Sequence, residues 1–330
     1  MRQEPERLNR EDSIRKMNSL AATGRAFVFL LSFDGNNNLI LEADEAEANG
    51  FFLEMPGKKL HSLNRGEGPK LEMSYHPVAR ERYRKAFEYV QEQILYGNSF
   101  LLNLTFPSRV ESSLDLKEVF LRSRAPFKLH LEDKLTVFSP ERFIRISGRN
   151  ISSNPMKGTM DASLPGAHER LVTDPKEDAE HNTIVDLIRN DLSMVASVVR
   201  VKRFKYIERV ETHRGALLQM SSEIEGQLPE NYLDHLGNLL FKLLPAGSIC
   251  GAPKQKTLEI IQKAEGYERE DYTGIFGHFD GRNLDSAVAI RYMEKKGQQL
   301  WFKSGGGITF QSKCDQEYEE LQNKVYVPIY

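Results

Sequence analysis

At 330 residues, 40% of them hydrophobic, the chain can hold one large domain or two ordinary ones and build a sizeable core. Lysine plus arginine at 45 against aspartate plus glutamate at 47 leaves a formal net charge of -2, so no global field recruits nucleic acid or an anionic membrane surface. Two cysteines, Cys250 and Cys314, exclude a disulfide framework and favour a reducing compartment.

The N-terminal segment is polar and mixed in charge and lacks the apolar stretch of a secretory leader. No apolar run approaches the roughly 20 residues a membrane span needs, so a soluble cytoplasmic protein is expected. Ile14, Met17, Leu20 and Ala21 predict a helix from Asp12 to about Thr23, ended by Gly24. Phe27–Phe33 reads as a buried strand that turns at Asp34 to Asn38 into a second strand at Leu39–Leu41. A helix is predicted over His76–Tyr96, with Ala79, Tyr83, Phe87, Val90 and Ile94 on one stripe and Gly97 as its stop. The Arg80 to Lys85 charge run lies on its solvated face. Short strands follow at Phe100–Phe106, Leu135–Phe138, Phe143–Ile146 and Ile151–Ser153. Helices are predicted over Lys176–Val195, Asn231–Leu244 and Pro253–Ala264, the last with Pro253 at the first helical position. Strands at Tyr272–Phe279, Leu284–Met293 and Gln298–Ser304 precede a terminal helix, Asp315–Val325. Strands come in runs separated by helices, which points to α+β with antiparallel sheet. With no repeat and no Ser/Gly/Pro-rich linker, residues 1–330 read as a single domain, with 1–75 a divergent front end and 76–330 the core.

Polar clusters in the second half carry the chemistry. Glu177 and Glu180 stand three apart on a predicted helix and project from one face; Glu317 and Glu320 repeat that spacing on the last helix. Two such pairs can build an oxygen cage suited to Mg²⁺, although charged residues at this spacing are also routine on a solvated face. Zinc does not fit: there is no HExxH and the eight histidines are scattered. Gly305-Gly306-Gly307 follows the run Leu300 to Lys303 and can let backbone N–H groups approach an anion, or be a loop or bulge. Gly247, Ser248 and Gly251 precede a helix start, but neither the P-loop nor the GxGxxG spacing is present. Lys157, between Pro155-Met156 and Gly158-Thr159, becomes a nucleophile only where its surroundings leave it partly neutral; an exposed turn lysine is the plainer alternative. Arg291, ending the apolar run Ala287 to Ile290, can grip a carboxylate through two hydrogen bonds, with Tyr272 adding a hydroxyl; its partner can equally be a protein carboxylate.

Lys157–Thr159, Glu177–Asp191, Gly247–Lys254, Tyr272–Arg291 and Gly305–Glu320, in this order, resemble the chorismate-utilising enzymes: anthranilate synthase component I, aminodeoxychorismate synthase component I, isochorismate synthase and salicylate synthase. The likeness runs from about Val78 to Tyr330. It implies an α/β/β/α sandwich of two mainly antiparallel sheets with outer helices and a shortened N-terminal region. It further implies that Glu180 and Glu320 bind Mg²⁺ directly, with Glu177 and Glu317 completing the cage, partly through water, and that Mg²⁺ neutralises the ring carboxylate of chorismate. Tyr272 and Arg291 would hold the enolpyruvyl carboxylate, while Ser248, Gly158, Thr159 and the glycine triplet, through the amides of Gly305 and Gly307, would line the pocket.

The lysine before Gly-Thr is the one that aminodeoxychorismate synthases carry. There it adds to C2 of the ring as hydroxide leaves C4; ammonia then attacks C4 and the lysine departs. Leu101 stands where the water-adding members place a lysine base, and leucine cannot be a base. Gln219 stands where many members have a histidine, with His213 six residues earlier no obvious replacement. The resemblance therefore implies aminodeoxychorismate synthase chemistry for p-aminobenzoate and folate synthesis. The nitrogen would come from ammonia, free or supplied by a separate glutaminase subunit, since this chain has no glutaminase-type Gly-x-Cys-x-Gly elbow. Anthranilate synthase chemistry, or a catalytically impaired chorismate-binding paralogue, remain the alternatives.

Overall fold

The computed structural model describes residues 5–64, 71–212 and 215–329, apart from the side chains of Thr159, Lys176 and residues 210–212. Among these residues the strands form two nine-stranded sheets whose pairings are all antiparallel. Neighbours in the first are Met156–Asp161, Gly215–Gln227, Asn150–Ser153, Arg142–Ser147, Leu284–Val288, Ile275–Phe279, Phe27–Leu31 and Leu39–Glu42, with Ser197–Thr212 also paired to Gly215–Gln227. In the second they are Gly251–Ala252, Leu101–Ser112, Gln299–Ile308, Tyr292–Lys296, Leu135–Ser139, Phe127–Leu131, Phe51–Met55 and Lys58–Leu60, with Met73–His76 added on Leu101–Ser112.

The run Phe27–Leu31 shows why the sheets stack. All five side chains are buried, but alternate ones point opposite ways. Phe27, Phe29 and Leu31 pack with Met17 and Leu20 of helix Arg10–Ala22, with Ile184 and Ile188 of helix Pro175–Ser193, and with Leu240 of helix Leu236–Leu243. Val28 and Leu30 instead meet Phe51, Leu53, Phe127 and Val137 of the second sheet. Burying each of these large apolar side chains contributes about 1.5–3 kcal/mol, enough to require both faces to be covered. On the far side of the second sheet, Tyr83 and Val90 of helix Arg80–Leu95, Ile260 of helix Lys254–Glu265 and Leu321 of helix Cys314–Asn323 close another core. The layers are helix, sheet, sheet, helix, as the resemblance implied.

Local differences from the predicted elements have local causes. The predicted His76–Tyr96 helix begins only at Arg80, because Pro77 interrupts it and Met73–His76 pairs as a strand instead. Pro253 caps helix Lys254–Glu265 from an extended conformation rather than opening it. The Asn231–Leu244 segment divides into a 3-10 turn, Tyr232–His235, and helix Leu236–Leu243. The predicted strand Leu284–Met293 is two strands, Leu284–Val288 and Tyr292–Lys296, lying in different sheets. Between them the chain crosses from one sheet to the other, and Arg291 takes a left-handed φ of 53° at the crossing. The glycine triplet is not a loop after a strand: it lies inside strand Gln299–Ile308, with Gly305, Gly306 and Gly307 opposite Thr105, Leu104 and Asn103. Among the described residues, no helix is long and apolar enough to cross a membrane.

Candidate active site

A cavity of about 540 Å³ is lined by residues of both sheets. Lys157, Gly158 and Gln219 come from the first sheet, Leu101, Gly305 and Gly307 from the second, Glu180 from helix Pro175–Ser193, and Arg291 from the crossing between sheets.

Lys157 is aimed by a break in the ladder. Strand Met156–Asp161 pairs Met156 with Ser221 and Thr159 with Gln219, and the register shifts between the two pairs. Such a bulge redirects a side chain, and Gly158, at φ 88°, supplies the backbone freedom it needs. A Cβ at Gly158 would stand 3.0 Å from Glu177 Oε2, so the glycine also lets that carboxylate come close. Lys157 Nζ lies 2.5 Å from Glu180 Oε2. Burial pulls the lysine pKa down, but Glu180, Glu320 and Glu177 outweigh it, so the pKa is raised and the group is an ammonium. The sequence-based condition for a nucleophile, a partly neutral amine, is therefore not met in this arrangement.

The second glutamate pair reaches the same place from helix Cys314–Asn323. Gly306 is the open position: a Cβ there would lie 3.2 Å from Glu320 Oε1 and 3.5 Å from Glu317 Oε2. Lys324 Nζ sits 2.5 Å from Glu320 Oε1 and donates to the Gly305 carbonyl at 2.9 Å. Burial draws the Lys324 pKa down against the pull of Glu320. Two lysine side chains thus lie among carboxylates from two helices. The all-oxygen donor set suits a hard divalent cation. With the side chains in this arrangement, no group of three or more described His, Cys, Asp or Glu residues is close enough to hold one.

At the other end Tyr272 is buried, and burial pushes its hydroxyl pKa well up. Arg291 stacks over the Tyr326 ring, and its buried Nε has no hydrogen-bond partner. Among the described residues Arg291 makes no ion pair, and its stacking partner is the Tyr326 ring. A buried guanidinium N–H without an acceptor is a place for an anionic ligand.

Ser248 lies in the four-residue helix Gly247–Cys250, whose Ser248 and Ile249 carbonyls accept from Asn103 Nδ2 at 3.0 Å each. Gly247 is required because a Cβ would stand 2.6 Å from Asp191 Oδ2, and Asp191 pairs with Lys254 at 2.8 Å. The Ser248 hydroxyl donates to Glu141 Oε1 at 2.9 Å. Burial pushes the Glu141 carboxyl up, against Ser248, Lys324, Lys157 and Arg291.

Most of the expected site residues meet here: Lys157, Gly158, Glu180, Ser248, Tyr272, Arg291, Gly305 and Gly307 line the cavity, while Glu177, Glu317, Glu320 and Gly306 stand behind its wall. Gly306 faces the carboxylates rather than the ligand space. The Thr159 side chain and His213 lie outside the described residues. Three charged residues of the cavity, Glu141, Lys324 and Lys303, are not among those the sequence motifs point to. Glu141 follows Ser139-Pro140 and reads as an exposed turn. Lys324 stands four residues after Glu320, a spacing that places both on one helix face. Lys303 is buried beside Glu294 at 3.1 Å, where burial pulls its pKa down.

Comparisons with known proteins bear on the family and the fold. A family model described as chorismate binding enzyme matches residues 7–329. A Haemophilus influenzae protein named "Uncharacterized PabA-like protein" is 48% identical over 303 residues, 92% of this chain and 92% of that one. Aminodeoxychorismate synthase component 1 of Escherichia coli is 34% identical over 265 residues, covering 75% of this chain and 57% of the relative. The solved menaquinone-specific isochorismate synthase of Escherichia coli shares the fold at a TM-score of 0.73 and 18% identity, over 95% of this chain and 80% of that one. The chain belongs to the chorismate binding enzyme family.

Proposed function

We propose that this chain aminates chorismate at C4, giving 4-amino-4-deoxychorismate, the reaction named for its relative aminodeoxychorismate synthase component 1. The observation that carries the reading is Lys157, which a strand bulge turns into the cavity beside Glu180. The orphaned Arg291 Nε, with Tyr272, takes the enolpyruvyl carboxylate. Glu180 and Glu320, supported by Glu177 and Glu317, would hold Mg²⁺. A cation held there would supply positive charge to neutralise the ring carboxylate of the substrate, and Lys157 would give up its contact with Glu180.

With that contact open, Lys157 gives its proton to solvent and the neutral amine then forms a bond to C2. The two ring double bonds shift and the C4–O bond breaks, so the oxygen leaves with a proton as water. Glu141, whose carboxyl burial favours in its protonated form, is placed to give that proton while Ser248 fixes one of its oxygens. Ammonia then bonds to C4, the double bonds shift back, and the C2–N bond to Lys157 breaks, returning the amine. The net change is chorismate plus ammonia to the amino product plus water. A separate glutaminase subunit is the proposed source of ammonia. Gln219 on the cavity wall can orient a group by hydrogen bonding but cannot move a proton at neutral pH.

The test is product analysis with chorismate, Mg²⁺ and ammonium, alongside mass spectrometry of the intact protein after brief exposure to chorismate and Mg²⁺. The amino product and an adduct on Lys157 are expected. Fluorescent anthranilate formed without any lyase would overturn amination at C4 and favour the anthranilate synthase reaction.

A further inference from the structure

Three non-glycine residues around the anion end have left-handed backbones: Glu270 at φ 56°, Thr273 at 63° and Arg291 at 53°. Residues with side chains hold this conformation only where their surroundings leave no alternative. On the sheet side those surroundings are plain. Thr273 N donates to Ala289 O at 2.9 Å, Ala289 N to Gly274 O at 2.8 Å, and Lys303 Nζ to Arg269 O at 3.0 Å. A Cβ at Gly274 would stand 2.0 Å from the Leu31 carbonyl, so the loop is pressed against strand Phe27–Leu31.

The other side is held by the front end of the chain. Asp271, between Glu270 and Tyr272, is 7% exposed. Arg7 donates from Nη1 to Asp271 Oδ1 and from Nη2 to Oδ2, both at 2.7 Å. The arginine is itself anchored. Its Nη1 also reaches Asn37 O at 2.9 Å, and Leu8 exchanges backbone hydrogen bonds with Asn38 at 2.7 and 2.8 Å. Asn38 is fully buried, and its side-chain amide donates to Ser13 Oγ and to the Gly35 carbonyl. The first described residues are thus pinned to the hairpin turn, and from that anchor a planar guanidinium locks the carboxylate next to Tyr272.

We infer that Arg7 is a positioning residue of the anion site: through its two-bond grip on Asp271 it fixes the loop that presents Tyr272 beside Arg291, and so sets the affinity for the substrate carboxylate. This rests on the reading that Tyr272 and Arg291 bind that carboxylate.

The experiment is equilibrium binding of chorismate with Mg²⁺ to the full chain, for wild type, Arg7→Met, Tyr272→Phe and the double variant, well below the unfolding temperature. Thermal unfolding and steady-state kinetics with ammonium are run in parallel. Arg7→Met should weaken binding about ten-fold (~1.4 kcal/mol) and raise KM with kcat little changed. In the Tyr272→Phe background the same change should have much less effect, because both act through one loop. Arg7→Lys, which keeps the charge but only one of the two bonds, should bind with intermediate affinity and decides the matter if Arg7→Met does not fold. A merely structural arginine would lower the unfolding temperature and leave affinity unchanged; that result, or an undiminished ten-fold loss in the Tyr272→Phe background, overturns the inference. A wild-type protein that fails to bind chorismate removes the functional reading itself.

Discussion

Gly306→Ala separates a metal cage from incidental surface charge. No left-handed φ protects Gly306, so alanine is free to adopt its backbone. In a strand, replacing glycine under those conditions stabilises a fold by about 0.4–1 kcal/mol, chiefly by restricting the unfolded chain. The new methyl would lie 3.2 Å from Glu320 Oε1 and 3.5 Å from Glu317 Oε2. An ordinary carbon–oxygen contact is about 3.4 Å or longer, so the Glu320 carboxylate must retreat by a few tenths of an ångström. Without an ion that costs little, because a carboxylate at the end of a flexible side chain can move. With Mg²⁺ bound it matters, since ligand distances tolerate only about 0.2 Å and Mg²⁺ demands near-ideal octahedral geometry. Disturbing the support of a ligand typically costs about 10–100-fold in metal affinity or activity. The expected result is a protein as stable as wild type or slightly more so, with the Mg²⁺ concentration for half-maximal activity raised about ten-fold or more. Gly305→Ala is the contrast: its Cβ would meet Leu104 O at 2.3 Å, within the ladder itself, so that variant should lose stability outright. Urea denaturation and Mg²⁺ titration of activity measure both quantities. Unchanged Mg²⁺ dependence in a stable Gly306→Ala protein would refute the placement of the ion between these helices.

Lys157→Ala should cut the rate with ammonia by orders of magnitude while chorismate affinity changes little; unimpaired turnover would remove the covalent step. Burial raises the Glu141 pKa, and a proton donor is active in its protonated form, so the rate should decline as pH rises through that pKa. Glu141→Gln should lower the rate and abolish that limb, and a limb that persists belongs to another group. Burial pushes the His130 pKa down to about 4, and His278 likewise to about 4. Neutral imidazole is what the fold accepts, so their contribution is complete above the unfolded value of about 6.5 and is lost as pH falls towards 4, worth up to about 3 kcal/mol each. Urea midpoints at pH 7, 5.5 and 4.5 check this, and a flat profile would show that neither ring is the cause.

Elements with strong periodicity were legible because their cause is local. Helix Arg10–Ala22 and the hairpin of Phe27–Leu31 with Leu39–Glu42 follow from apolar spacing and a turn rich in Asp, Gly and Asn. Where a distant partner decides, local signals fail. Ala287 to Met293 looks like one continuous strand because every residue but Arg291 is apolar or aromatic, yet the chain changes sheets within it. Nothing local says that Ala289 N will bond Gly274 O or that Phe138 N will bond Arg291 O; those tertiary bonds make the crossing. Likewise, three adjacent glycines signal freedom of the backbone. Only the strand opposite and the helix behind show that the freedom is used for close approach rather than for turning.

The site divides along the same line. Carboxylate pairs at helical spacing and a lysine between proline and glycine are visible in one dimension, and the structure brings them together. What one dimension hides is the counter-charge. Along the chain Lys157 reads as an amine open to neutralisation by its surroundings, yet Glu180, Glu320 and Glu177 hold it charged. Lys324, capping the helix that carries the acidic pair, has no signal of its own in the sequence, yet it is the group that meets Glu320. The two lysines occupy the carboxylates that the proposed ion requires. On the proposed reading, cation binding and release of the amine would be one event described from two sides, because each opens the ion pair that the other needs opened. On the proposed reading, the acidic pairs and the lysine in the bulge, which look like separate motifs along the chain, would therefore act as one unit.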